Sequence, residues 1–140
     1  MTTSDHKSVS VTRVSARRFE AVNARGGTLR FGEGEDADFT PVELLLTAIA
    51  GCSAIDVDYL TSRRAEPESF DVVVEADKLA GDLGNHLGPV EVTFRLRFPD
   101  GPDGDRARDV LPAALAKSHD RLCTVSRTVE LPTPVRFSVD

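Results

Sequence analysis

Apolar and polar residues alternate from Ser8 to Val14, which is the period of a half-buried β-strand. Phe19–Val22 and Thr28–Phe31 follow, divided by Asn23-Ala24-Arg25-Gly26-Gly27, a turn-forming cluster, so the first third predicts an antiparallel meander. The acidic, glycine-containing stretch from Gly32 to Asp38 predicts a solvated loop. The period then lengthens. Thr40-Pro41-Val42-Glu43 has the form of a capping box with proline at the first helical position, and it predicts a long helix over about 41–64. Leu45, Ile49, Cys52, Ile55 and Tyr59 recur at spacings of three and four and are expected to form its buried stripe. Ala48, Ala50, Gly51, Ser53 and Ala54 would let neighbours approach closely, and the polar run from Asp56 onward would bring the helix to the surface.

Strand character returns at Phe70–Ala76 and Val90–Phe98, the second alternating cleanly, with a loop over 81–89 between them. Ala107, Leu111, Ala114, Leu115, Ser118 and Leu122 share one face of a second helix over about 105–122, which Pro112 should kink or whose start it should mark. A last strand is expected at Val135–Val139, after Pro132-Thr133-Pro134. The order β-β-β-α-β-β-α-β is that of an α+β chain with antiparallel sheets, in a single domain over 1–140.

A formal charge of -6 argues against a phosphate-binding surface, so nucleic acid is not expected as a partner. The polar start of the chain does not read as a secretory leader, and no apolar run is expected to approach the roughly 20 residues that span a bilayer. A soluble cytoplasmic protein with no membrane partner is the expectation. In that reducing compartment the two cysteines, Cys52 and Cys123, are a redox couple, a metal site or two unrelated buried thiols. Metal is the weakest of the three, because His86, His119 and the cysteines lack the two short-spaced ligand pairs usual for zinc. No cofactor is expected.

Thr40 to Leu46, Ala50-Gly51-Cys52, the strand pair that follows and Cys123-Thr124-Val125-Ser126 together resemble the OsmC-like family, across nearly the whole chain. The resemblance implies an intertwined α+β homodimer with its central helices inside. It also implies a thiol-dependent peroxidase that reduces organic hydroperoxides, with Cys52 peroxidatic, Cys123 resolving and an external dithiol as reductant. An arginine of the N-terminal meander would activate the thiol, with Arg18 the nearest match and Arg17 its neighbour. Glu43 would hold that arginine, although about 13 Å of helical rise keeps it from touching Cys52. Phe19, Leu45, Leu46, Ile49 and Ile55 would hold the apolar tail of the substrate. Two positions depart from the family pattern: Val42 stands where the hydroperoxide-resistance branch has glutamate, and Thr124 where relatives have proline. They leave a second reading open, a non-catalytic dimer of the same fold that binds a small molecule.

Overall fold

The computed structural model describes residues 2–140, in two compact units, one reaching to Leu45 and the other Leu46–Asp140. The first unit holds the meander: β1 (Val9–Ser15), β2 (Arg18–Asn23) and β3 (Thr28–Phe31) pair antiparallel in sequence order. Asn23 makes the second turn. Its side-chain oxygen accepts the N–H groups of Arg25 and Gly27 at 3.0 and 2.9 Å, and Gly26 takes the positive φ of 86° that the turn requires. Phe19 and Phe31, opposite each other in the β2–β3 register, stack with ring centroids 5.9 Å apart.

α1 (Pro41–Ser62) starts where its capping box dictates. Thr40 Oγ1 accepts the Glu43 N–H at 3.2 Å, and Glu43 Oε1 accepts the Thr40 N–H at 2.8 Å. Thr40→Ala is therefore expected to cost about 1 kcal/mol in denaturant unfolding. An unchanged midpoint would show that the box contributes nothing.

The buried face of α1 is not the expected stripe. Ile49, Ala50, Val57 and Thr61 are buried, whereas Leu45, Ile55 and Tyr59 are exposed, Tyr59 by 68%. The helix is apolar on most sides, so spacing alone cannot select the inward side. Thr61 enters the core without cost to its hydroxyl, which donates to the Val57 carbonyl at 2.9 Å. By length and composition α1 would also suffice to cross a bilayer, with a mean hydropathy of 1.4 over its most apolar window, contrary to the expectation that no run approaches that length. A core helix passes the same test, and this one carries Asp56 half-buried and bonded to Ser118 within the same unit.

β4 (Ser69–Glu75) and β7 (Glu91–Arg97) pair antiparallel over seven residues, with Phe70, Val72 and Val74 opposite Leu96, Phe94 and Val92 on the sheltered face. The expected 81–89 loop contains part of a small ladder, β5 (Lys78–Leu79) with β6 (His86–Leu87), too short for periodicity to reveal. α2 (Pro102–Lys117) begins at Pro102, not at Pro112, which lies inside the helix on its exposed side. Its last predicted turn is instead a π-helical turn, Ser118–Leu122, closed by the Cys123 N–H on the Ser118 carbonyl at 2.9 Å. α3 (Thr124–Glu130) follows, where no helix was expected. The expected strand Val135–Val139 does not form. It has no partner to complete a ladder, and Val135, Phe137 and Val139 are almost wholly exposed.

Candidate functional site

The π-turn brings the second cysteine to the first. An ordinary helical turn would carry the chain onward with Ser118 and Cys123 on diverging faces, but the wider turn ends with Ser118 fully buried and Cys123 2% exposed. Opposite them, Cys52 and Asp56 lie four residues apart on α1, within about 40° of the same face. The two sulfurs and an Asp56 carboxylate oxygen all fall within 4.8 Å of one another. Both thiols are free. Ser118 Oγ donates to Asp56 Oδ2 at 2.9 Å and fixes the carboxylate.

The surroundings of the two sulfurs differ. Burial raises the pKa of Cys52, Cys123 and the Asp56 carboxylate raise it further, and only a hydrogen bond from the Val125 backbone opposes them. Burial also penalises the Cys123 anion, but hydrogen bonding outweighs it and the pKa falls. The Ser126 N–H reaches Cys123 Sγ at 3.4 Å and Ser126 Oγ lies 3.2 Å from it, with Ser53 and Cys52 adding to the effect.

A cavity of about 310 Å³ adjoins the pair, lined by Ser53, Val92, Phe94, Leu115, Ser118 and Ser126 among others. A second of about 310 Å³ shares Val90, Val92, His119 and Ser126 with it and reaches Ile49. His119 bonds Asp120 Oδ1 at 3.0 Å and Glu130 Oε1 at 3.1 Å, and the Asp120 bond, followed by the Glu130 charge, raises its pKa. A proton NMR titration should place the His119 midpoint above that of free histidine, and Glu130→Gln should lower it; no change would exclude the Glu130 contact in solution.

Ile55 faces another cavity, of about 300 Å³, with Ala54, Asp58, Pro67 and Phe70, so Ile49 and Ile55 line different spaces. Leu45 is exposed and Leu46 half-buried. In the first unit Phe19 stacks on Phe31, Arg18 pairs with Asp36, and Arg17 bonds Glu33 at 2.7 Å from a turn position with φ 59°. Glu43 serves the cap. Asp56, Ser118 and Ser126 were missed as site residues. Asp56, expected to take α1 to the surface, is held inward by Ser118, and its i+4 spacing from Cys52 was the available signal.

The family model described as OsmC-like protein matches residues 32–138 of this chain. The chain belongs to the OsmC-like family. An uncharacterised protein of Mycobacterium tuberculosis is 29% identical over 130 residues, covering 92% of this chain and 93% of its own. Among solved structures, an OsmC-like protein of unknown function from Vibrio cholerae superposes with a TM-score of 0.72 at 13% identity, over 91% of this chain and 95% of that one. An organic hydroperoxide resistance protein OsmC from Legionella pneumophila gives 0.63 at 16%, over 91% and 92%. At these identities the structures establish a shared α+β fold.

Proposed function

We propose that this OsmC-like protein is a thiol-dependent peroxidase for organic hydroperoxides. The observation that carries the reading is the meeting of two free thiols from distant parts of the chain, with their sulfurs within 4.8 Å. Cys52, the less buried cysteine, attacks the terminal peroxide oxygen as the thiolate; the O–O bond breaks, the hydroxyl stays on sulfur as sulfenic acid, and the alkoxide leaves, taking a proton from solvent to become the alcohol. Cys123 then attacks the Cys52 sulfenic acid, releasing water and closing a Cys52–Cys123 disulfide. The hydrogen bonds that favour the Cys123 anion suit that step. They also make Cys123 the better leaving group when an external dithiol attacks Cys52 and reopens the bridge.

The raised pKa of Cys52 makes a cation necessary for fast attack. In this reading Arg18 leaves Asp36 to supply it and Glu43 steadies the arginine, while the apolar tail enters the cavity edged by Ile49, with Phe19, Leu45, Leu46 and Ile55 completing the enclosure in a homodimer. The exposed flank of α1, with Ile55 and Tyr59, supports such pairing. The whole chain acts as one domain, soluble and cytoplasmic, with no nucleic-acid or membrane partner. The competing reading, a binding protein with passive cysteines, draws on the unfavourable charge of Asp56 beside Cys52. Consumption of cumene hydroperoxide by the reduced protein with a dithiol distinguishes them. Catalytic loss of peroxide, with a Cys52–Cys123 disulfide found by peptide mapping in the absence of dithiol, is expected; unchanged peroxide would sink the peroxidase.

A further inference from the structure

Asp56 has no part in that chemistry and opposes it. A carboxylate next to a thiol that must ionise is an obstacle, yet the fold holds it there with a buried serine. Two thiols that lose their protons on binding a metal, together with a carboxylate, converge on one point and suit a cation. We propose that Cys52, Asp56 and Cys123 form a binding site for a thiophilic divalent cation, zinc above all, which occupies the reduced site and withholds its thiols from peroxide.

The donor set is sound on its chemistry. Zinc binds thiolates at about 2.3 Å and carboxylate oxygens at about 2.0–2.2 Å, which in a tetrahedron places neighbouring donors roughly 3.4–3.8 Å apart. Donors already within 4.8 Å of one another need close by only about 1 Å, within reach of side-chain torsions. Two ligands come from one face of α1 at i and i+4, a spacing that recurs in helical zinc sites. The third comes from the junction of the π-turn and α3.

An outer shell is present as well. Ser118 Oγ–H holds Asp56 Oδ2 and leaves Oδ1 for the metal, while the Ser126 N–H supports Cys123 Sγ. Three protein ligands leave one position open. A water would complete the tetrahedron there.

The consequence for activity rests on the peroxidase reading; the binding does not. A metal-capped sulfur is no longer a free nucleophile, so the metallated protein is the resting form. When the cation dissociates, hydroperoxide oxidises the freed thiolate pair with uptake of two protons, yielding an alcohol, water and a Cys52–Cys123 disulfide that can no longer bind the cation. The site is thus a zinc store that empties on oxidation.

Anaerobic titration of the reduced full-length protein with Co²⁺, followed by displacement with Zn²⁺ against a chromophoric chelator, tests the binding. One equivalent per chain is expected, with sulfur-to-cobalt charge-transfer absorption that disappears in Cys52→Ser and in Cys123→Ser. Asp56→Asn keeps both thiols and should weaken zinc binding by at least about 10–100-fold, and Ser118→Ala by about 10-fold. Circular dichroism and free-thiol counts on each variant separate ligand loss from misfolding. An absent charge-transfer band in the fully reduced protein, or zinc affinity unchanged by Asp56→Asn, would overturn the site. Hydroperoxide consumption measured with the metal stripped should persist in Asp56→Asn. Failure of the stripped wild-type protein to consume peroxide would remove the peroxidase while leaving the metal titration to stand or fall by itself.

Discussion

Cys52→Ser is expected to bring hydroperoxide consumption down to the rate of the reductant alone. A serine hydroxyl is far less ionised than a thiol near neutral pH and far less nucleophilic. Removing a covalent nucleophile has cost on the order of 10⁶-fold in a well-studied hydrolase, so any residual rate would vanish into background. Cys123→Ser should behave differently. Attack at Cys52 survives, so one equivalent of peroxide per chain is consumed in a burst and Cys52 sulfenic acid accumulates, detectable by dimedone and mass spectrometry. Steady turnover then falls to the rate at which the dithiol reaches that sulfenic acid directly. Undiminished turnover in Cys52→Ser would defeat the mechanism. A dimedone adduct on Cys123 in the Cys52→Ser protein would reverse the two roles, and the hydrogen bonds between Cys123 and Ser126 give that outcome a physical basis.

The asymmetry of the two sulfurs shows where the sequence was informative and where it was not. The capping box at Thr40 and Glu43 is a contiguous signal, and it forms as written. So do the strand-rich runs that become β4 and β7, the second of them alternating with period two, because such a run needs only a partner strand and a sheltered face. The inward face of α1 depends on what packs against it, and a helix apolar on most sides carries no local record of that. Asp56 illustrates the same limit. Its charge suggested a surface position, but the partner that holds it inside, Ser118, is 62 residues away and turned inward by a π-helical turn that no simple period announces.

The C-terminal region misleads for a related reason. Val135, Phe137 and Val139 alternate as a strand does, but alternation specifies a face and not a partner, and in this chain they remain exposed. Before them, α3 is short and is started by a cysteine whose sulfur accepts the Ser126 N–H, a cap that the usual Ser, Thr, Asp or Asn signals do not include. The residue that makes the chemistry thus also begins the helix. Replacing Cys123 by serine keeps a capping side chain, which is why serine rather than alanine is the substitution that isolates its redox role.

The largest expected change in stability comes from Gly104→Ala, and its sign runs against helix propensity. Gly104 lies in the first turn of α2, where alanine would ordinarily gain up to about 1 kcal/mol over glycine. Here the position is buried, and a Cβ would run into the carbonyl oxygen of Pro99, with the carbonyl carbon only 2.9 Å away. Backbone cannot swing aside as the end of a side chain can, so the segment between β7 and α2 must move. That segment is anchored: Phe98 is 5% exposed, and its carbonyl accepts a hydrogen bond from Arg108 Nη1 at 3.1 Å. Overpacking of this kind costs about 1–3 kcal/mol, more where the obstacle is rigid, and should exceed the propensity gain. Gly51→Ala supplies the opposite case, because its Cβ would meet nothing within 4 Å inside α1 and propensity alone should act, stabilising by up to about 1 kcal/mol. Urea unfolding of the two variants against the parent should therefore move the midpoint in opposite directions. If Gly104→Ala proves as stable as the parent, the approach of Pro99 to the first turn of α2 is looser in solution than in this structure.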